Sequence, residues 1–224
     1  MNKIKMGIVG TGQTVGIANN HLEGINSCND TELVAIYDKD RQMAEAFCGK
    51  NNLDNIVICD TYEELLDLVD AVSICIPNNQ HVDAAIEALN NDKHVLVEKP
   101  ISVNASSVER LIDVSDTKKD KVAMVSFNYR EFPIYQYIKE LLEDGILGKI
   151  YSCRQQLGGN RIANKEVKLE WRMDEEQSGP GAVSDFGCHM LDIAHYLFSN
   201  TEGSMQDFSL LTNTVITERN DIKT

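Results

Sequence analysis

The stretch KIKMGIVGTGQTVG at residues 3–16 constrains the fold more strongly than any other part of the chain. Its apolar run from Ile4 to Val9 predicts a short buried strand, and the glycines that follow predict a turn into a helix. These glycines are Gly10, Gly12 and Gly16. Bare backbone and the free N–H groups of a helix start bind phosphate well. Because Val15 stands where a dinucleotide-binding G-x-G-x-x-G loop has its third glycine, an ordinary glycine turn remains an alternative.

Strand-like and helix-like segments alternate from this loop to residue 125. Further strands are expected at 32–38, 56–59, 71–76, 94–100 and 121–130, and helices at about 14–24, 40–50, 62–69, 82–90 and 104–117. Thr61 and Glu64 form a capping-box pattern at the start of one of these helices. Such alternation is typical of a parallel sheet that is covered by helices on both faces. Residues 1–125 are therefore predicted to form an α/β domain, a doubly wound Rossmann sheet that binds a dinucleotide.

An acidic residue, Asp38, ends the second predicted strand, ELVAIYD. In a dinucleotide-binding fold a carboxylate at this point accepts hydrogen bonds from the adenosine ribose and repels a 2′-phosphate. The sequence therefore favours NAD, with NADP as the less favoured cofactor. The nearby Lys39 and Arg41 weaken this preference without reversing it. A solvated aspartate that merely closes a strand is the alternative.

The pattern changes after Arg130, and we expect a second domain over residues 126–224. The segment from Pro133 to Gly145 predicts a helix, and 181–198 predicts a strongly apolar one. Residues 149–157 alternate as a half-buried strand does, and 205–215 offer one further strand. The prediction is a partial α+β domain.

Charge and cysteine usage exclude several classes of partner. The formal net charge of −14 argues against a nucleic-acid or anionic-membrane surface. The six cysteines lack a C-x-x-C pair, which fits buried, reduced thiols in a cytoplasm. The sequence contains no apolar run long enough to predict a membrane span, and it contains no cluster of residues that suggests a metal site. We expect a cytoplasmic protein with a small-molecule partner.

Six motifs in order resemble one family. They are the loop GIVGTGQTVG, Asp38, the turn IPNNQH at 76–81, Glu98-Lys99-Pro100, the strand end FNYR at 127–130, and DFGCH at 185–189. Together they resemble the glucose-fructose oxidoreductase, inositol dehydrogenase and MocA (Gfo/Idh/MocA) family of NAD(P)-dependent oxidoreductases. The resemblance implies a Rossmann domain followed by a mostly antiparallel sheet domain. It also implies hydride transfer between NAD and a secondary hydroxyl of a sugar or a cyclic polyol such as inositol.

The resemblance implies three catalytic residues: Lys99, Asp185 and His189. Alcohol oxidation builds negative charge on the hydroxyl oxygen, which the Lys99 ammonium would stabilise, while a base removes the proton. His189 matches the base of the family, and Asp185, four residues earlier on the same helical face, would orient its imidazole. The alternatives are an exposed lysine at a strand end and a buried core histidine among apolar neighbours.

Cofactor contacts are implied from both predicted domains. They are Gly10, Gly12, Gln13, Thr14, Asp38, Ile76, Pro77, Asn78, His81, Glu98, Lys99, Trp171 and Arg172. Substrate contacts are implied for Lys99, Asn128, Arg130, Asp185 and His189. His81 fits a role in closing the cofactor turn better than a chemical role, and Arg172 fits a surface ion pair equally well. The pattern around His21 and His94 indicates no role for either residue.

Residues 126–224 supply too few strands for the second domain usual in this family, so we expect that domain to be truncated at its C-terminus. An incomplete sheet leaves an open edge, which favours a homo-oligomer, a dimer or a tetramer, formed through the second domain. Two other functions stay open. One is a non-catalytic NAD(P)-binding or regulatory protein on the same fold, or a truncated and inactive member of the family. The other is a glycosidase that oxidises its substrate transiently with bound NAD.

Overall fold

A computed structural model describes residues 3–12, 16–201, 203 and 205–219. The chain divides into two compact units, one up to Ser126 and the other from Phe127 onward. The domain boundary expected between residues 125 and 126 lies one residue from this division.

The first unit is built on a parallel sheet. Its strands are β1 (Ile4–Val9), β2 (Thr31–Tyr37), β3 (Val57–Ile58), β4 (Ala71–Ile74), β5 (His94–Val97) and β6 (Ala123–Val125). Their order is β3-β2-β1-β4-β5-β6, and all neighbouring strands run parallel. The chain progresses outward from β1 in one direction and then restarts at β4 on the other side. Ligands of such sheets bind where the direction reverses, at the carboxyl ends of the strands.

Helices connect successive strands, as predicted. They are α1 (Ile17–Ser27), α2 (Arg41–Asn51), α3 (Tyr62–Leu68), α4 (His81–Asn90) and α5 (Ala105–Thr117). Local sequence fixes several of their starts. The predicted capping box is present, since the Thr61 side chain accepts from the Glu64 N–H and the Glu64 carboxylate accepts from the Thr61 N–H. Asp40 and Asn104 cap α2 and α5 with a single hydrogen bond each, because their side chains accept from the N–H of Gln42 and of Ser107. The doubly wound α/β fold is confirmed.

Each face of the sheet has its own apolar core. Ile8 and Ile36 point to the face covered by α1 and α2, whereas Val9 and Ile74 point to the face covered by α3, α4 and α5. Successive residues of a strand face opposite sides, which explains why these strands are apolar throughout. Gly7 allows α3 to approach β1, because a Cβ there would lie 2.8 Å from Leu65 Cδ2.

The second unit is helical in its ordered core. It contains α6 (Pro133–Glu143), α7 (Glu175–Ser178), a π-helical turn at Val183–Gly187 and α8 (Cys188–Phe198). Pro133 occupies the first turn of α6, where its missing N–H costs nothing. The buried side chains of Leu142, Ile193 and Leu197 join α6 to α8. Both long helices expected in this half of the chain are confirmed.

The strands expected at 149–157 and 205–215 are wrong. The structure assigns no strand to either segment, and within the described residues of the second unit there is no sheet. Tyr151 is 86% exposed and Leu211 is 97% exposed. An alternating pattern specifies a strand only if a neighbouring strand supplies the partners for its N–H and C=O groups. The expected antiparallel sheet is not formed by the residues that the structure describes.

Candidate active site

The glycine loop leaves β1 at the point where the strand order reverses. Gly10 has φ +89°, and a Cβ there would lie 2.7 Å from Ile76 Cγ2 and 2.9 Å from the carbonyl of Cys75. Gly10 is therefore required by close packing against the chain that leaves β4. A Cβ on Gly12 would meet no atom of the described residues within 4 Å, so none of those residues covers the backbone there. Uncovered backbone of this kind fits the diphosphate of a dinucleotide.

The predicted contacts Gln13 and Thr14 lie outside the described residues. Gly16, with φ +69°, directly precedes α1, which has no acidic residue in its first turn. No carboxylate in this turn therefore offsets the positive end of the helix dipole at the N-terminus of α1. Such a helix start is favourable for binding phosphate.

Asp38 follows β2 and is tied to the glycine loop. Its Oδ2 accepts from the Thr11 N–H at 2.6 Å and from the Thr11 hydroxyl at 2.7 Å. Its Oδ1 accepts from the Asp40 N–H at 3.0 Å. A carboxylate has about four acceptor positions, so Asp38 retains capacity for a ribose hydroxyl. Thr11, which the sequence analysis did not single out, is buried and fixes the orientation of this carboxylate.

A cavity of about 280 Å³ lies beside Asp38, among the ends of β1, β2 and β4. Apolar walls come from Val9, Ile76 and the Tyr62 ring, which stacks with Tyr37 at a centroid distance of 6.1 Å. The Tyr62 hydroxyl donates to the Ala84 carbonyl, and burial raises its pKa, so this wall stays uncharged. Much of the remaining lining is polar and includes Lys39, Gln80, Asp83 and Glu87 besides Asp38. A concave slot with apolar walls and carboxylates around it fits an adenosine.

Arg41, which weakened the preference for NAD, has partners on the protein. Its guanidinium donates to Glu45 at 3.0 Å and also contacts Asp60. The guanidinium is therefore compensated by two carboxylates, and a 2′-phosphate would have to compete with them.

The loop after β4 closes over the sheet through His81. This side chain is fully buried, and its Nδ1 and Nε2 lie 2.8 Å from the Pro100 carbonyl and 2.9 Å from the Ile76 carbonyl. His81 thus joins the loop after β4 to the turn after Lys99, and its ring atoms are engaged within the protein. Asn78 is also buried, in the short 3-10 turn before α4. Ile76 and Pro77 are half-buried beside it.

Burial and the two carbonyl partners of His81 have opposing effects on its protonation. Carbonyl oxygens only accept, so a neutral ring donates to one of them and a charged ring to both. Burial lowers the pKa of His81, while the carbonyls of Pro100 and Ile76 and the charge of Glu98 act in the opposite direction. Burial has the larger effect and the pKa lies below its ordinary value.

Glu98 and Lys99 directly follow β5, at the same edge of the sheet. The Glu98 carboxylate is buried, and its Oε2 accepts from the Lys99 N–H at 3.3 Å. Burial raises the pKa of Glu98, but hydrogen bonds from His21 and Ser126 and the nearby charges outweigh it, so the pKa lies below its usual value. Glu98 is therefore held as an anion inside the unit, while the Lys99 side chain is half-buried.

His21, on α1, is the main partner of Glu98. Its Nε2 lies 2.9 Å from Glu98 Oε1 and its Nδ1 lies 2.5 Å from the Ser73 hydroxyl on β4. The sequence pattern around His21 had indicated no role for it. A signal was present, because Ser73 interrupts an otherwise apolar central strand and a buried hydroxyl needs a partner.

In the second unit, His189 lies near the start of α8 and is buried. The Tyr129 ring stacks on its imidazole at a centroid distance of 4.2 Å, and Phe127 approaches it edge-on at 6.3 Å. Tyr129 lies within the FNYR motif at 127–130, but the motif alone had indicated no role for this side chain. Asp185 lies in the preceding π-helical turn. A π-helical turn has a different pitch from an α-helix. The expectation that Asp185 and His189 share one face of an α-helix therefore does not apply to this pair.

Arg130 forms an ion pair within the second unit with the buried carboxylate of Asp192. Its Nε donates to the Asp192 carboxylate at 2.8 and 3.0 Å, and its Nη2 makes a further contact. The guanidinium also lies over the rings of Phe127 and Tyr196. These contacts hold α8 to the chain before α6, and Asn128 beside Arg130 is exposed.

Trp171 and Arg172 occupy a 3-10 turn, with the guanidinium 4.2 Å from the indole ring centre. Both side chains are half-buried. Among the residues that the structure describes, no group of His, Cys, Asp and Glu side chains has the arrangement of a metal site. Nor does any helix in the described ranges have the length and apolar character to cross a bilayer.

Comparison with known proteins gives the chain a relationship in both halves. Residues 4–127 match an oxidoreductase family with an NAD-binding Rossmann fold, and residues 135–220 match the GFO/IDH/MocA C-terminal domain. Glucose-6-phosphate 3-dehydrogenase of Bacillus subtilis is 30% identical over 200 residues, which cover 88% of this chain and 54% of the relative. Myo-inositol 2-dehydrogenase of Thermotoga maritima is 28% identical over 224 residues, covering 99% and 63% respectively.

A solved structure agrees with these relationships. Levoglucosan dehydrogenase in complex with NADH and levoglucosan superposes with a TM-score of 0.80 at 25% identity, covering 98% of this chain and 59% of that one. The chain spans between 54% and 63% of the length of these relatives. With the parallel sheet, the glycine loop and the acidic end of β2, the matches establish that the chain belongs to the Gfo/Idh/MocA oxidoreductase family, with an NAD-binding Rossmann domain as its first unit.

Proposed function

We propose that this protein is an NAD-dependent dehydrogenase that transfers a hydride between NAD and a secondary hydroxyl of a sugar or a cyclic polyol. The observation that carries the proposal is the position of Lys99. Its ammonium side chain follows β5 at the sheet edge that also carries the glycine loop and Asp38. A cation at the ligand edge of a dinucleotide-binding sheet is suited to stabilise an oxygen that becomes negative during alcohol oxidation.

The substrate class in this proposal is supported by the relatives. Their names specify glucose 6-phosphate, myo-inositol and levoglucosan, which are all sugars or cyclic polyols with ring hydroxyls. These proteins share about 30% or less of their residues with the chain, so the particular sugar and the oxidised carbon are left open in the proposal.

In the proposed reaction, NAD supplies the hydride acceptor when it is bound. Lys99 stabilises the negative charge that develops on the hydroxyl oxygen. His189 removes the hydroxyl proton, and Asp185 favours its charged form. General base catalysis of this kind contributes about a hundredfold to ten-thousandfold in rate, so loss of His189 would lower turnover strongly without abolishing binding.

The proposed preference for NAD rests on Asp38 and Arg41. The carboxylate of Asp38 is fixed by Thr11 and would repel a 2′-phosphate, and the guanidinium of Arg41 is already paired with Glu45 and Asp60. Binding of NAD and NADP, measured by calorimetry, tests this preference. Tighter binding of NADP would contradict it.

Turnover with NAD and a panel of sugars and polyols tests the main proposal. Accumulation of NADH with one of them, lost in Lys99→Met, is the expected result. Tight NAD binding without turnover on any substrate would favour a non-catalytic NAD-binding protein instead. Unchanged turnover in Lys99→Met would contradict the role given to this lysine.

A homo-oligomer formed through the second unit is part of the proposal. Leu147, Tyr151 and Phe208 belong to this unit and are among its exposed large apolar side chains. Exposed apolar surface favours association. Light scattering coupled to size exclusion measures the mass in solution, and a monomer at micromolar concentration would contradict this part.

A further inference from the structure

A chain of buried hydrogen bonds connects α1, the helix that follows the glycine loop and is called the cofactor helix below, to the turn at Lys99. Ser73 on β4 contacts His21 on α1, His21 contacts Glu98 after β5, and Glu98 accepts from the backbone N–H of Lys99. The side chain of His21 is 6% exposed and that of Glu98 is 10% exposed. These hydrogen bonds therefore run through the interior, from the centre of the sheet to Lys99, the residue proposed to act on the substrate oxygen.

Hydrogen-bond donors and acceptors match along this chain. With the proton on Nε2, His21 donates to Glu98 and accepts from the Ser73 hydroxyl at Nδ1. Glu98 has a lowered pKa and remains an acceptor. Each polar atom of the imidazole thus has a partner without a second proton on the ring.

Ser73, His21 and Glu98 are also the residue types of a hydrolytic triad, but the burial of Ser73 excludes that chemistry. Ser73 is 1% exposed in the middle of β4, where a substrate carbonyl has no access to its hydroxyl. The chain ends at a backbone N–H beside Lys99, so its effect falls on the position of that residue.

Glu98 is also anchored to the strands on both sides of β5. Its N–H donates to the Ile74 carbonyl at 3.0 Å, and its carboxylate accepts from the Ser126 side chain. On the other side of Lys99, the Pro100 carbonyl contacts His81. The backbone of Lys99 is held on both sides, and His21 is the contact that links it to α1, the helix that starts after the glycine loop.

We propose that His21 is a positioning residue that sets the orientation of Lys99 through Glu98 and couples it to the cofactor helix. The catalytic importance of this orientation rests on the proposed function of Lys99. The coupling between His21 and Lys99 does not depend on that function. Removing the imidazole leaves the Glu98 anion buried with fewer donors, and the carboxylate then moves toward solvent or toward the Lys99 ammonium. Either movement displaces Lys99.

The test uses variants of the full chain in which lysines carry ¹³C-methyl groups, observed by NMR. The Lys99 resonance is identified by its loss in Lys99→Arg. In His21→Leu this resonance is expected to shift and to lose its response to added NAD. In His21→Gln, whose amide still donates to Glu98, it is expected to stay close to its native position. His94→Gln is the matched control, because His94 lies at the opposite end of β5 and accepts from the Val122 N–H.

An unchanged Lys99 resonance in His21→Leu, in a protein with native circular dichroism and melting, would overturn the proposal. Where His21→Leu does not fold, Ser73→Ala takes its place. That variant removes only the hydroxyl behind the ring and is expected to give a smaller shift in the same direction. An unchanged spectrum there overturns the proposal as well.

Turnover separates this proposal from the proposed function. Displacement of a catalytic group by about 1 Å costs up to about a hundredfold in rate, so kcat of His21→Leu is expected to fall between about tenfold and a hundredfold while KM for NAD changes by less than about threefold. If Lys99→Met keeps full turnover, the proposed function fails, yet the NMR result still decides whether His21 positions Lys99. If turnover requires Lys99 and neither kcat nor the Lys99 resonance responds to His21→Leu, only the positioning role fails.

Discussion

The two units differ in how their stabilising contacts are distributed. In the first unit each strand of the sheet bonds to its neighbours, and both faces carry an apolar cluster. In the described part of the second unit there is one small apolar cluster, between α6 and α8, together with three ion pairs and a group of aromatic contacts around Tyr129 and His189. Many weak contacts spread over a sheet tolerate loss of one side chain, whereas a small core depends on individual pairs. The second unit should therefore respond more strongly to changes in single side chains, and the first unit mainly to changes in its backbone.

The largest effect is expected for Gly10→Ala, a backbone change in the first unit. A Cβ at φ +89° lies 2.9 Å from the backbone of Cys75, which cannot move without disturbing β4. Backbone strain and overpacking each cost about 1–3 kcal/mol, so we expect a loss of about 3 kcal/mol in the free energy of unfolding. Urea unfolding followed by circular dichroism measures it.

Gly12→Ala is the matched control for this prediction. Within the described part of the chain its Cβ meets no atom closer than 4 Å, so the free energy of unfolding should change by less than about 0.5 kcal/mol. NAD binding should still weaken by about tenfold, equivalent to about 1.4 kcal/mol, because the methyl group occupies the space above the uncovered backbone. If both variants lose the same stability, Gly10 has no special packing role.

Arg130→Met tests the dependence of the second unit on one ion pair. The Asp192 side chain is 5% exposed and would lose its guanidinium partner, while the Arg130 side chain is 38% exposed and already partly solvated. Breaking a fully buried pair costs about 3–5 kcal/mol, and partial exposure reduces this to about 2 kcal/mol here. Thermal unfolding followed by near-ultraviolet circular dichroism, which reports on the aromatic cluster, is the appropriate measurement.

The double variant Arg130→Met with Asp192→Leu sharpens this test. Removal of both charges leaves no unpaired ion, so the double variant should be more stable than the single one. Arg154→Met is the control, since Arg154 is exposed in the same unit and a change below about 0.5 kcal/mol is expected. A double variant as unstable as the sum of its single variants would show that the pair does not act as a pair.

The pH dependence of stability tests the buried contact in the first unit. The pKa of His81 is lowered in the folded protein from the ordinary value of 6.5, so the unfolded chain binds a proton more readily. The stability contributed by the neutral ring is present above pH 6.5 and is lost as the pH falls below it. Urea midpoints measured downward from about pH 8 should fall, and the fall should be smaller in His81→Gln. A rise in stability on acidification would show that the two carbonyls outweigh burial.

The sequence was sufficient for most of the first unit because its signals are local. Alternating apolar segments predicted the strands and helices, and the Thr61 capping box was recognisable from four residues. In this sheet every pair of consecutive strands except β3 and β4 lies side by side, so the local pattern also determined most of the pairing. Gly10 and Asp38 became candidates for a related reason, since each directly follows a strand and the ends of parallel strands share one edge. Lys99 became a candidate through the resemblance of the Glu98-Lys99-Pro100 turn to the family.

Contacts between distant elements were not predictable in this way. His21 and Glu98 are far apart in sequence, and only the fold brings α1 against the end of β5. Tyr129 stacks on His189 across a similar separation. The alternation at 149–157 was present, but alternation identifies one strand and says nothing about its partner. In each case the sequence does not show which distant residue or strand is the contact partner.

The smallest predicted effect concerns Tyr129, whose ring stacks on His189 at 4.2 Å with an interplanar angle of 10°. Tyr129→Leu preserves most of the apolar contact and removes the stack, which is worth about 0.5–1.5 kcal/mol for aromatic pairs. We expect a loss of about 1 kcal/mol in the second unit, measured by urea unfolding, and a shift of the His189 ring resonances in NMR. Tyr137→Leu, a change at an exposed tyrosine on α6, should alter neither. If Tyr129→Leu is neutral in both measurements, the second unit relies on its apolar cluster as the first unit does, and the contrast between the two units does not extend to aromatic contacts.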